Sequence, residues 1–139
     1  MTTLNIKLPR TAVPATDFDR IRDLTLTLAH EPEQLLPLIA FLKRTFPQRE
    51  VLFQLARHVR KQARYIHELA RQGDVQRAAL TAEADQLLAA LDQMKEAAAE
   101  LRETAHSGAA VVTLGKAIQL QGKLAVMECL TKMLLFELE

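Results

Sequence analysis

The sequence has no tryptophan, one cysteine, four glycines and five prolines in 139 residues, and aromatic residues make up 4% of it. Each shortage excludes something. A lone cysteine, Cys129, rules out an intramolecular disulfide and any metal site built on several thiolates; it also fits a reducing compartment. Few glycines and prolines leave few turns, so the elements must be few and long. With aromatics scarce, the core falls to alanine and leucine. These are strong helix formers, unlike the β-branched and aromatic residues that favour strands. No stretch approaches the roughly eighteen uninterrupted apolar residues of a membrane-spanning helix. The longest apolar region, 126–138, is broken by Glu128, Lys132 and Glu137. The N-terminus, Met1 to Arg10, is too short and polar for a secretory leader. A cytoplasmic protein with no membrane insertion is expected.

What is present points to long helices. The chain is 49% hydrophobic with a formal net charge of +1 and a mean hydropathy of −0.01, ample for one domain's core. The clearest pattern is Leu80, Ala84, Leu87, Leu91, Met94, Ala98, Leu101 and Ala105, at alternating spacings of four and three. That spacing draws one apolar stripe along a helix that must lie against another, as in a coiled coil.

The predicted fold is all-α: a helical bundle of two short N-terminal helices and three long antiparallel ones. Residues 1–15 are read as an extended arm, because Leu4, Ile6 and Leu8 alternate with Asn5 and Lys7 before Pro9 stops the run. Residues 16–139 form the bundle domain. Thr16 caps a first helix that ends near His30. Pro32 suits the first turn of a second, although Pro37 either kinks it or begins it. Thr45-Phe46-Pro47 restarts the chain into a third helix, which runs to about Gln72 on Leu52, Leu55, Val59, Gln62, Ile66 and Leu69, widened by Ala56, Ala63 and Ala70. A fourth helix spans about 75–106, and a fifth about 110–138.

The last helix carries two apolar faces. One is a seam of Ala117, Leu120, Leu124, Met127, Thr131, Leu134 and Leu138. Opposite it lie Ile118, Ala125, Val126, Cys129, Met133 and Phe136, with Gly115 and Gly122 almost in line with Cys129. Glycine inside a helix costs about 1 kcal/mol against alanine, so two on one stripe suggest close approach of another backbone. Either a short N-terminal helix packs there or a second subunit does. The oligomer interface is assigned to Gly115, Gly122, Val126, Cys129, Met133 and Phe136, making a dimer the expected state.

Charge is sorted by helix. From Lys43 to Arg77 there are nine basic and three acidic residues; from Glu83 to Glu103, six acidic and two basic. With Leu52 and Leu55 at the core positions of a heptad, Arg57, Arg60, Lys61, Arg64 and Arg71 fall on an outward stripe. Such a stripe meets phosphates or an acidic partner, or it is a solvated face that keeps the bundle soluble.

No catalytic constellation, cofactor motif or metal site is identified. No two of His30, His58, His67 and His106 are four residues apart, and Glu103-x-x-His106, which matches di-iron bundle spacing, points outward. Arg60 and His67, on one stripe, resemble the arginine–histidine motif of the helical-bundle ribonucleases of the HEPN class. That resemblance implies RNA cleavage at a dimer interface, with His67 as general base beside a phosphate held by Arg60 and Arg64. The reading preferred from the sequence is a non-catalytic protein–protein interaction module (adaptor, chaperone or assembly subunit) that binds itself through its last helix and an unidentified protein partner. A nucleic-acid-associated protein using the basic stripe is the alternative, and a HEPN-like ribonuclease a more distant one.

Overall fold

A computed structural model describes residues 17–72, 76–108 and 110–139. The expected extended arm and the Thr16 cap lie outside the described residues. Four helices follow one another: α1 (Asp17–Thr45), α2 (Glu50–Arg71), α3 (Arg77–Gly108) and α4 (Val111–Leu138). Among the described residues there is no strand. Each helix runs antiparallel to its neighbours in a closed ring: α1 on α2, α2 on α3, α3 on α4, and α4 back on α1. Cross-contacts fix this order. Arg20 pairs with Glu137 and Lys123 with Gln34 between α1 and α4, whereas Lys95 pairs with Glu128 and Arg102 with Gln121 between α3 and α4.

The all-α bundle is present, but the count of two short plus three long helices is not. The two short helices are one, α1, with Pro32 and Pro37 both inside it. A proline in a helix interior removes a donor and costs about 3 kcal/mol. The continuous seam outweighs this. Ile21, Leu28, Leu35 and Leu42 are at most 1% exposed, and burying such side chains is worth about 1.5–3 kcal/mol each. Pro32 lies in that seam and Pro37 faces solvent.

Pro47 does not start α2 either. The Arg49 amide donates to the Phe46 carbonyl at 3.0 Å, closing a tight turn with Pro47 in its second position, where its fixed φ is favoured. The helix proper begins at Glu50.

The heptad seam of α3 is buried as the spacing requires: all eight residues from Leu80 to Ala105 are at most 1% exposed. That of α4 is likewise buried from Ala117 to Leu138, with Thr113 added at its start. α2 is different. Its buried line is Leu52, Ala56, Val59, Ala63, Ile66 and Ala70, while Leu55 and Leu69 are only partly buried. The helix is therefore rotated by roughly 50° from the leucine-centred register, at 100° per residue. Alanines at the centre let neighbouring helices approach closely, and the rotation carries Arg60 and His67 toward α1.

Candidate functional site

The second apolar face of α4 is open. Ile118 is 44% exposed, Val126 46%, Met133 48% and Phe136 71%; Cys129 is also exposed, as are Gly122 and Ala125. The contact with an N-terminal helix considered from the sequence is not made, because α1 packs against the flank of α4 through Arg20, Gln34 and Phe41. An added Cβ at Gly115 or Gly122 would meet nothing within 4 Å, so among the described residues neither glycine serves a close approach. Along the C-terminal half of this face runs a groove of about 470 Å³, floored by Ala125, Cys129, Met133 and Phe136 and bordered by Leu24 of α1 and by Glu128, Lys132 and Glu137. The border is tied down. Lys95 Nζ donates to Glu128 Oε1 at 2.8 Å and Lys132 Nζ lies 3.6 Å from Oε2. The Lys95 hydrogen bond holds the Glu128 carboxyl below its ordinary range, and the same contact raises Lys95.

Of the outward basic stripe on α2, Arg57, Lys61, Arg64 and Arg71 are exposed and Arg60 is half-buried. Arg60 and Arg64 both reach Glu33 of α1, at 2.8 and 3.1 Å, and Arg71 reaches Glu68 at 3.1 Å. Arg57 and Lys61 alone have no ion-pair partner among the described residues. The outward placement of Arg60 is corrected by the rotation of α2, which turns it onto the α1 flank and leaves it half-buried.

That rotation also separates Arg60 from His67 in role. The Thr25 hydroxyl donates to the Arg22 carbonyl at 2.9 Å and lies 3.1 Å from His67 Nδ1. The hydroxyl thereby ties His67 to α1 through Nδ1, whichever of the two carries the proton between them. Burial pushes the imidazole below its ordinary value, and Arg71 adds to the shift. Arg60 is committed to a carboxylate and His67 to a buried threonine, so the pair implied by the ribonuclease resemblance forms no open phosphate site. No protein-family model, curated protein or solved structure matches the chain. The residues themselves therefore carry the reading.

Among the described residues no three metal-ligating side chains converge, and Glu103 and His106 are both exposed. No helix among them is long and apolar enough to cross a membrane. Leu24 and Glu137 at the groove, and Glu33 beneath the arginines, carry no sequence signal of their own. Their places follow from the register of α1 against its neighbours.

Proposed function

We propose that the protein is a non-catalytic protein–protein interaction module, in the manner of an adaptor, chaperone or assembly subunit, and that it self-associates through the outer face of α4. One observation carries this. Of the nine exposed residues between Ile118 and Phe136, only Lys132 is charged, whereas six of the ten exposed residues of α2 are charged. Scattered surface apolar residues are ordinary, but a continuous apolar face marks an interaction surface. A helix with apolar residues all round is expected to be covered on both sides, and among the described residues α4 is covered on one.

The test is sedimentation equilibrium on the full chain beside the double variant Val126→Glu, Met133→Glu. Both positions are half-exposed, so the variant keeps its fold and its far-UV circular dichroism. The expected result is a dimer for the parent and a monomer for the variant. A parent that stays monomeric at every concentration overturns the reading.

A further inference from the structure

The unpaired cations of α2 continue onto the end of α1. Arg57 and Lys61 are exposed and have no ion-pair partner among the described residues. The same holds for Lys43 and Arg44 in the last turn of α1. Glu33 is shared by Arg60 and Arg64, so that trio keeps one positive charge. Over residues 33–45 of α1 and 50–64 of α2, six cations stand against two acids, Glu33 and Glu50. The Arg60–Glu33 contact sets these stretches side by side. Arg57 and Arg64 are about 10 Å apart along α2, and Lys43 lies about 15 Å beyond Glu33 along α1, so the cations line about 20 Å of one side of the bundle. The exposed acids Asp85, Asp92, Glu96 and Glu103 stand on α3, which packs against α2 and not against α1. The field is thus positive on one side of the molecule, although the net charge is only +1.

The chemistry of this surface selects its occupant. The core of a protein–protein interface is depleted in charge, whereas here Arg57, Lys61 and Arg64 hold the centre on successive turns of one helix. Protein–DNA interfaces are much more positive. A duplex carries one phosphate charge per about 1.7 Å of its axis, so a straight row of cations finds phosphates without matched spacing. The planar fork of arginine suits phosphate oxygens. Tyr65 is the single exposed aromatic of α2, so the bases of a single strand have no stacking row there. We propose that this side of α1 and α2 binds the phosphate backbone of a nucleic-acid duplex without reading its sequence. Lys43, Arg57, Lys61 and Arg64 make the phosphate contacts. Among the described residues α2 does not touch α4. The site is therefore separate from the outer face of α4 and stands whether or not the protein self-associates.

The test is fluorescence anisotropy of a labelled duplex of mixed sequence, titrated with the full chain. With four phosphate contacts the logarithmic salt slope is about −3.6, so affinity falls about 100-fold between about 50 and 200 mM salt. Lys61→Glu is expected to weaken binding and to reduce the slope by about 1, and the double variant Arg57→Glu, Lys61→Glu to abolish binding. Neither position has an ion pair to lose, so the far-UV circular dichroism of both variants should match the parent's. Arg102→Glu on α3 changes the net charge as much as Lys61→Glu does, and is expected to bind as the parent does. A parent that leaves the duplex unbound at the lowest salt overturns the proposal. So does an equal loss in Arg102→Glu and Lys61→Glu, which would make the attraction one of net charge alone. Tighter binding to a single strand, or to polyglutamate, than to the duplex overturns it as well, the latter result assigning the surface to an acidic protein.

Discussion

Arg60 Nε donates to Glu33 Oε2 across 2.8 Å, tying the middle of α2 to the middle of α1. The same carboxylate accepts from Arg64 at 3.1 Å. One acid on α1 is therefore shared by two members of what the charge pattern presents as an outward basic stripe, and offsets one of their two charges. The remaining unpaired cations, Arg57 and Lys61, sit on the same helix with a single exposed aromatic, Tyr65, one turn beyond Lys61, short of the repeated aromatics that stack successive bases. Two of the five stripe cations, Arg60 and Arg64, thus serve helix pairing, while Arg71 pairs within its own helix.

The hydrogen bond from Arg60 is the main reason Glu33 titrates below its ordinary range. A carboxyl whose folded pKa is depressed stabilises the fold above its unfolded value and loses that contribution as pH falls through the folded one. Glu33→Gln is therefore expected to lower the urea midpoint slightly at neutral pH, as suits a solvent-exposed pair. The gap between parent and variant should close in acid, once the parent's Glu33 is itself protonated. A gap that stays constant down to the acid transition would show that the loss is not ionic.

His67 gives a second pH dependence of the same sign. Burial lowers its folded pKa, so the unfolded chain takes up a proton first as pH falls. Stability should be fully present above the ordinary imidazole value and decline below it, within the range of about pH 5–8 where histidine titrates. The variant His67→Asn keeps a polar group near Thr25 and cannot titrate. Urea midpoints followed across that range should slope less for the variant than for the parent.

The prolines of α1 invite a stabilising change. Pro37 is exposed and leaves the Glu33 carbonyl without its intrahelical donor. Replacing it by alanine restores the bond and the propensity, worth about 3 kcal/mol, while a looser unfolded chain takes back about 0.4–1 kcal/mol. Pro37→Ala is expected to raise unfolding free energy by about 2 kcal/mol in urea denaturation. Pro32→Ala should gain less, because Pro32 is buried in the seam and the smaller side chain leaves a void.

The parts of the fold legible in the sequence are those where one stripe clearly outweighs its neighbours. On α3 the four–three run from Leu80 to Ala105 has no competitor, and every member is buried. On α2 two stripes compete. Leu55 and Leu69 are larger than Ala63 and Ala70, so hydrophobicity alone favours the leucines, while the choice is made by how closely α1 and α3 can approach. That distance is a property of the packed helices. On α1 the local cost of Pro32 and Pro37 is visible in the chain, whereas the burial that outweighs it at Leu28, Leu35 and Leu42 requires α2 and α4. The apolar composition of the outer face of α4 was equally visible from Ile118 to Phe136. Its exposure was not, because that depends on α1 lying against the flank of α4 through Gln34 and Phe41 instead of over its back.

The two glycines of α4 separate fold stability from association. Neither has a neighbour that a methyl group would strike, and each costs about 1 kcal/mol of helix propensity relative to alanine. Gly115 and Gly122 are about 10 Å apart along the axis, far enough for the two effects to add. The double variant Gly115→Ala, Gly122→Ala should therefore gain about 2 kcal/mol in monomer stability, measured by urea unfolding at concentrations low enough to dissociate any dimer. If bulky side chains of a second copy occupy the space over these glycines, the same variant should sediment with a weaker dimerisation constant. A protein made more stable and less associated by one pair of methyl groups would set the glycines apart as features of contact between chains. Gains in both quantities would mean that the partner helix does not approach there.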